Sequence, residues 1–228
     1  MISKNVLLRM VYLYVIPYLL LLMITLGLIY MYPKPNLHIL LNSYHLDGLD
    51  FFFKYFTLMA EWPLYIIALL PLFWKKGKIT AFFALSEVSG GTLLQILKHC
   101  ICMDRPICVF EKCPDLVLPL VQGVDLHHSN SFPSGHASTF FMFCTCSVIV
   151  LSYYYSRRPH TLKTNILFDV TLVLLLFFAA MGAYSRVYLS QHFLSDVCVG
   201  SMIGFTTPFL MFYFCRNKVL KLNKEEIK

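Results

Sequence analysis

The chain has 228 residues, of which 58% are hydrophobic and only 14% are charged, and its mean hydropathy is +0.66. This composition excludes a water-soluble globular domain and indicates a polytopic membrane protein. The formal charge of +7 does not indicate nucleic-acid binding, because the basic residues lie in short gaps between apolar segments, where they orient a chain in a bilayer.

Six apolar segments are long enough to cross the hydrocarbon core, which requires about 20 residues per helix. They lie near residues 10–31, 55–74, 79–97, 136–155, 166–185 and 194–215. The first has no small-residue cleavage site, so we interpret it as a retained span and not as a removed signal peptide. We therefore expect an all-α bundle of six transmembrane helices, forming a single integral membrane domain over residues 1–228.

Residues 32–49, between the first two spans, are too polar to cross the membrane, and we expect this segment to lie in the interface plane. Its polar members are His38, Asn42, His45 and Asp47. They are too scattered to indicate a metal site.

Glu61 and Glu87 fall inside the second and third spans, where a charge is costly, so we expect both to face the bundle interior. A packing role through hydrogen bonds is favoured over contact with a substrate.

The distribution of Lys and Arg predicts the orientation of the chain. With six spans, both termini share one side with the second and fourth loops, and this side holds 13 of the 19 basic residues. The positive-inside rule then places both termini in the cytoplasm. Residues 98–136 and 186–192 consequently face the exterior.

The outward loop at 98–136 ends with Pro-Ser-Gly-His at the start of the fourth span. Ser134 and Gly135 lie where a helix N-terminus presents unpaired N–H groups and the positive end of its dipole, which together form an anion site. Gly135 allows close approach of the backbone, and Ser134 adds a hydroxyl donor. His136 would lie beside the anion, where it can give a proton to a leaving oxygen.

A second chemical cluster precedes the sixth span. If this span begins early enough, His192 and Asp196 share one helix face, and the carboxylate can accept one imidazole N–H while the other nitrogen acts as nucleophile or base. Arg186 supplies a planar fork of donors suited to phosphate oxygens. A stabilising His–Asp pair and basic residues that reach lipid headgroups form the simpler alternative. It does not explain why Lys98, Arg105 and Arg186 make up half of the six outward basic residues.

These three stretches resemble the three-part signature of the type 2 phosphatidic acid phosphatase superfamily, which is related to the vanadium haloperoxidases and to glucose-6-phosphatase. Six residues separate Lys98 from Arg105, and five separate Arg186 from His192. Asp196 follows His192 after three more. The resemblance extends from about the third to the sixth span.

The resemblance implies that His192 attacks phosphorus to form a phosphohistidine, that Asp196 orients its ring, and that His136 protonates the departing oxygen. It implies the following phosphate-binding set: Lys98, Arg105, Ser134, Gly135 and Arg186. It also implies no cofactor and no metal. The residues agree, because no carboxylate cluster suited to magnesium is present, and the lone Asp104 is better explained as a salt-bridge partner.

Other polar residues of the outward loop remain open. Its four cysteines are Cys100, Cys102, Cys108 and Cys113. They lack the paired Cys-x-x-Cys spacing of a zinc site, and one or two disulfides are plausible if the exterior is oxidising. His127 and His128 are candidates for contact with a substrate headgroup, although loop histidines titrate near neutrality whether or not they bind anything.

The substrate expected at headgroup level is an amphiphile whose phosphate lies in the interface: lipid A, undecaprenyl diphosphate, phosphatidylglycerol phosphate or phosphatidic acid. The compact chain resembles bacterial members, which favours lipid A in a bacterial inner membrane. Beyond the lipid and the bilayer, no nucleic acid or obligate protein partner is implied. The alternatives are vanadate-dependent halide oxidation, disfavoured because its known enzymes are soluble, and a lipid-binding or transport protein, which requires a dispensable His192.

Overall fold

The computed structural model describes residues 2–75, 77–113 and 115–219, and within these ranges the regular structure is entirely helical. The expected all-α class is therefore confirmed. The helices are α1 (Lys4–Met31), α2 (Lys34–Asn42), α3 (Asp47–Phe56), α4 (Trp62–Lys75), α5 (Gly77–Cys100), α6 (Pro106–Glu111), α7 (Gly135–Tyr155), α8 (Leu162–Tyr188) and α9 (Leu194–Val219). Four basic residues counted for the orientation, Lys76, Lys221, Lys224 and Lys228, lie outside the described residues.

Five of these helices are long and apolar enough to cross a membrane within the described part of the chain: α1, α5, α7, α8 and the portion Leu194–Phe214 of α9. They correspond to the first, third, fourth, fifth and sixth predicted spans. Helices α7, α8 and α9 form the centre of the bundle, and α7 is the most deeply buried of the five.

The second predicted span is not one continuous helix. Helix α3 ends at Phe56, a 3₁₀ turn covers Thr57–Ala60, and Glu61 is extended before α4 begins. Pro63 lacks an N–H group and cannot continue a helix from the preceding turn, but it fits the first turn of a new one. Helix α4 has 14 residues, and this length of about 21 Å is short of the ~30 Å hydrocarbon core. The predicted span near 55–74 is therefore interrupted just before α4 in this structure.

The two intramembrane acids lie in different surroundings. Glu87 is half-buried and accepts a hydrogen bond from Thr139 Oγ1 at 2.7 Å, in agreement with the expected packing role. Glu61 lies in the break before α4; its side chain is exposed, and it is in electrostatic contact with the buried Arg186.

Helix α2 is more closely integrated into the protein than predicted. His38 and Asn42 are only 1% and 0% exposed, so these polar side chains are buried in the protein and do not lie on its surface. Both side chains pack against the loop between α8 and α9, where they find hydrogen-bond partners. Buried polar groups require such partners, and this requirement draws α2 onto the protein.

Two glycines bring α9 against the start of α7. A Cβ built on Gly200 would lie 2.3 Å from the carbonyl oxygen of Ser134, and one on Gly204 would lie 2.2 Å from that of Ser138. The missing Cβ atoms thus allow direct backbone contact between the helices. The Ser134 N–H donates to the carbonyl oxygen of Asp196 at 2.9 Å. This contact places the N-terminus of α7 beside that of α9.

Candidate active site

The N-terminus of α7 forms one wall of the site. Ser134 is the N-cap, and its Oγ accepts the Ala137 N–H at 3.5 Å. The first helical N–H groups, including those of Gly135 and His136, have no intrahelical acceptor. A Cβ at Gly135 would meet nothing within 4 Å, so the space beside this helix end is open to an anion. The predicted helix start is confirmed.

His192 lies in the short loop between α8 and α9, two residues before α9 begins at Leu194. The predicted shared helix face with Asp196 is therefore wrong, although the two side chains are close. Asp196 lies in the first turn of α9, where its Oδ2 accepts the Phe193 N–H at 3.1 Å. His192 Nδ1 is 3.6 Å from the same Oδ2, which is slightly beyond hydrogen-bonding distance.

The surroundings of His192 define its tautomer and charge. Arg105 Nη1 lies 3.4 Å from Nε2, and because a guanidinium only donates, Nε2 carries the lone pair and Nδ1 the proton. The side chain is 2% exposed. Burial, offset only in part by the Asp196 carboxylate, lowers the pKa of His192 to about 3. The ring is therefore neutral at pH 7, the form in which its nitrogen is a nucleophile.

The Asp196 carboxylate is fully buried and is held by several donors. Ser131 Oγ donates to Oδ2 at 2.5 Å, and Ser195 Oγ donates to Oδ1 at 3.0 Å. Lys34 Nζ lies 3.8 Å from Oδ1. These groups compensate for the burial of the negative charge. Ser131 and Lys34 were not predicted as partners of Asp196, because both come from segments distant from α9 in the sequence.

Arg186 has one buried donor without a hydrogen-bond partner among the described residues. It is 6% exposed, and its Nη1 donates to Thr57 Oγ1 at 2.8 Å. Its Nε is buried and has no hydrogen-bond acceptor within the part of the chain that the structure describes. An unpaired buried donor costs about 1–3 kcal/mol, and a bound anion would remove this cost.

The other two cations are held by backbone carbonyl groups of the outward loops. Arg105 Nε donates to the Ser129 oxygen and Nη1 to the Gln191 oxygen, both at 2.9 Å. Lys98, in the last turn of α5, donates to the Asn130 oxygen at 3.4 Å. The cations that face the anion site therefore also fix the loop that leads into α7.

The predicted residues converge on a single site. His136 is in electrostatic contact with Arg186, His192, Arg105 and Lys98, which come from the other two signature stretches. His127 is exposed but in electrostatic contact with the same cations, and partial desolvation together with Arg105 and Arg186 lowers the pKa of His127. Its contact with a substrate headgroup stays a prediction, as does that of His128.

The remaining loop residues have structural contacts. Asp104 pairs with Lys112 at 2.6 Å, which confirms its assignment to a salt bridge. The four loop cysteines are thiols, so the disulfides considered from the sequence are not formed in this structure. Instead, Cys108 Sγ donates to the carbonyl oxygen of His128 at 3.1 Å.

The helical bundle brings two histidines, three cations and a helix N-terminus together at one end, and this combination is typical of an anion-binding site. The family model of the PAP2 superfamily matches residues 79–220, and the chain belongs to this superfamily. The resemblance inferred from the three signature stretches is thereby confirmed. No curated protein matches the sequence significantly.

Two solved structures share the fold. The crystal structure of Aquifex aeolicus LpxE has a TM-score of 0.59 and 23% identity, covering 81% of this chain and 98% of that one. The crystal structure of a transmembrane PAP2 type phosphatidylglycerolphosphate phosphatase from Bacillus subtilis has a TM-score of 0.59 and 18% identity, covering 89% of this chain and 96% of that one. Both structural similarities show that this chain has the fold of the PAP2-type membrane phosphatases.

Proposed function

We propose that this protein is a metal-independent membrane phosphatase that removes a phosphate group from a lipid through a phosphohistidine on His192. The observation that carries the proposal is the buried, unpartnered Nε of Arg186 in the same site as a neutral, buried imidazole. The first group is suited to bind a phosphate oxygen and the second to attack phosphorus. The PAP2 fold supports the same chemistry.

In the first step, the Nε2 lone pair of His192 forms a bond to phosphorus while the bond from phosphorus to the lipid oxygen breaks. The bonding pair goes to that oxygen, which takes a proton from His136. The Asp196 carboxylate, 3.6 Å from Nδ1, stabilises the positive charge that develops on the ring. The cations and the N-terminus of α7 stabilise the three equatorial oxygens, where charge spreads in the transition state.

In the second step, water attacks phosphorus and gives a proton to His136. The bond from phosphorus to Nε2 breaks, its electron pair returns to nitrogen, and inorganic phosphate leaves. His192 and His136 are then in their starting forms. The cations are needed in both steps, because each step passes through the same distribution of charge on phosphate oxygens.

The substrate is a phosphorylated membrane lipid, and lipid A is the first candidate. Undecaprenyl diphosphate, phosphatidylglycerol phosphate and phosphatidic acid are the alternatives, and the fold of the Bacillus enzyme lends support to phosphatidylglycerol phosphate. The site lies at the ends of helices that are long and apolar enough to cross a membrane, which supports a substrate whose phosphate resides at the headgroup level. Phosphate release from this panel by purified protein with EDTA present tests both the substrate and the metal independence.

The matched histidine variants for this assay are His192→Ala and His160→Ala. His160 is exposed and precedes α8, at the end of the bundle opposite to the site. We expect His192→Ala to abolish turnover and the acid-labile phosphoenzyme, and His160→Ala to retain both. Full phosphate release by His192→Ala would overturn the proposal in favour of a lipid-binding or transport role.

We further propose that the chain forms one domain in a bacterial inner membrane, with cytoplasmic termini and an outward-facing site. The excess of basic residues near the termini supports this orientation. Cys100 and Cys102 are exposed at the site end of α5. A membrane-impermeant maleimide should therefore label both cysteines in intact cells. Labelling only after permeabilisation would show that the chain has the opposite orientation.

A further inference from the structure

Helix α2 contacts the loop that carries His192, although it lies before the region matched by the PAP2 family model, which begins at residue 79. Three of its polar side chains, Lys34, His38 and Asn42, follow each other at intervals of four residues. This spacing places them on one face of the helix. The same face packs on residues 189–196.

Ser190 is the centre of these contacts. Its φ of +52° is in the left-handed region, which a residue with a Cβ adopts only when its surroundings hold it there. Its hydroxyl donates to the Pro119 carbonyl oxygen at 2.7 Å. The hydroxyl oxygen of Ser190 also accepts a hydrogen bond from Asn42 Nδ2 at 2.7 Å and lies 3.2 Å from His38 Nε2.

The hydrogen bonds of Ser190 determine which ring nitrogen of His38 carries the proton. A serine hydroxyl has one hydrogen, and Ser190 gives it to Pro119, so Ser190 can only accept from the histidine. His38 Nε2 is therefore the protonated nitrogen. Burial lowers the pKa of His38 to about 4, in agreement with a neutral ring that donates one hydrogen bond.

The contacts continue on the other side of His192. Lys34 Nζ lies 4.3 Å from the centre of the Phe193 ring and 3.8 Å from Asp196 Oδ1. The ring of His38 packs edge-on against Phe193, with 5.3 Å between centroids. The residues before and after His192 are thus both held by α2.

We propose that α2 is a positioning element for the nucleophile: Lys34, His38 and Asn42 fix the loop 189–193 and the Asp196 carboxylate so that His192 presents Nε2 to phosphorus. None of the three needs to touch the substrate. The effect on catalysis rests on the proposed function. The structural claim, that the order of the loop 189–193 depends on α2, is independent of it.

The first test compares Asn42→Ala with Asn36→Ala, which makes the same change at an exposed position of the same helix. We expect Asn42→Ala to lower kcat roughly ten- to hundred-fold, since small displacements of a reacting group have effects of this order. KM should change by less than about twofold, because the bound phosphate keeps its cations. Asn36→Ala should match the wild type. Equal kcat in the two variants would overturn the proposal.

A second measurement does not depend on activity. Hydrogen–deuterium exchange of the Gln191 and His192 amides, both of which donate to the Arg186 carbonyl oxygen, should be faster in Asn42→Ala than in Asn36→Ala. Unchanged exchange contradicts the role of α2 even if the protein proves to have another substrate. A wild-type protein without phosphatase activity overturns the proposed function instead, so the two failures are distinguishable.

A pair of substitutions at His38 covers the case in which Asn42→Ala does not fold. The amide nitrogen of glutamine reaches about the position of Nε2, whereas that of asparagine reaches about the position of Nδ1. His38→Gln should therefore keep kcat within about threefold of wild type, and His38→Asn should lose it as Asn42→Ala does. Equal activity of the two variants would overturn the assignment of His38 Nε2 as the donor to Ser190.

Discussion

Replacing Gly200 by alanine tests whether direct contact between α7 and α9 assembles the site. The new Cβ would lie 2.3 Å from the carbonyl oxygen of Ser134 and 3.3 Å from Cβ of Ala137. Non-bonded heavy atoms prefer separations of about 3.5 Å, and a backbone carbonyl in a helix cannot turn away. The two helices must therefore separate by about 1 Å.

This separation moves the two halves of the site apart. Ser134 caps α7 and donates its N–H to the carbonyl oxygen of Asp196, so the anion site and the nucleophile loop are coupled through this contact. A misplacement of about 1 Å costs up to about 10²-fold in rate, and we expect kcat of Gly200→Ala to fall by about that factor. Overpacking should also lower the free energy of unfolding by about 1–3 kcal/mol.

The measurement is steady-state phosphate release together with thermal unfolding in detergent. Gly91→Ala is the matched control, because a Cβ at Gly91 meets nothing within 4 Å. Alanine in a helix interior is more stable than glycine by about 0.5–1 kcal/mol, so this variant should be fully active and no less stable. Wild-type kcat in Gly200→Ala would refute the argument that the backbone contact sets the geometry.

Three further predictions concern the immediate partners of the site. Ser131→Ala removes the 2.5 Å donor to Asp196, and kcat measured by phosphate release should fall about tenfold or more; an unchanged kcat would show that the carboxylate needs no such support. Thr57→Val removes the acceptor of Arg186 Nη1, and kcat/KM should fall about tenfold, as a loss of about 1.4 kcal/mol predicts; Thr57→Ser should retain it. The pKa of His192 is lowered to about 3, so its protonated form disappears as pH rises above that value. ¹⁵N-histidine spectra of the free protein should therefore show a neutral His192 ring from pH 7 to about pH 5, where a histidine with the ordinary pKa near 6.5 would be mostly protonated. Titration of His192 near pH 6.5 would contradict the argument that burial lowers its pKa.

Local patterns in the sequence were sufficient for the elements that form by themselves in a membrane. Apolar length predicted α1, α5, α7, α8 and α9, with the largest difference at the start of α1, which begins at Lys4 and not near residue 10. The prediction works because a chain in lipid must satisfy its backbone hydrogen bonds within each helix. The break at Glu61 was missed because hydropathy alone does not register the effect of Pro63 on a continuous helix.

The chemistry-bearing groups were predicted from residue type and spacing, but their surroundings were not. The partner of Arg186 is Thr57, 129 residues away, and no periodicity connects the two. His38 and Asn42 were assigned to the interface, yet they are buried against Ser190. The four-residue spacing that they share with Lys34 was a usable signal, because it indicates one polar helix face that requires a partner.

The sequence by itself determined the helical membrane class, the helix N-terminus at Ser134 and the identity of the nucleophile candidate, because each depends on composition or on neighbours a few residues apart. Only the tertiary structure decided which groups support that nucleophile and how closely α7 and α9 approach each other. Those features depend on contacts between segments more than 60 residues apart in the chain, such as Ser131 with Asp196 and Gly200 with Ser134. Such contacts are set by side-chain volume and hydrogen-bond satisfaction in the folded bundle, which no local pattern encodes.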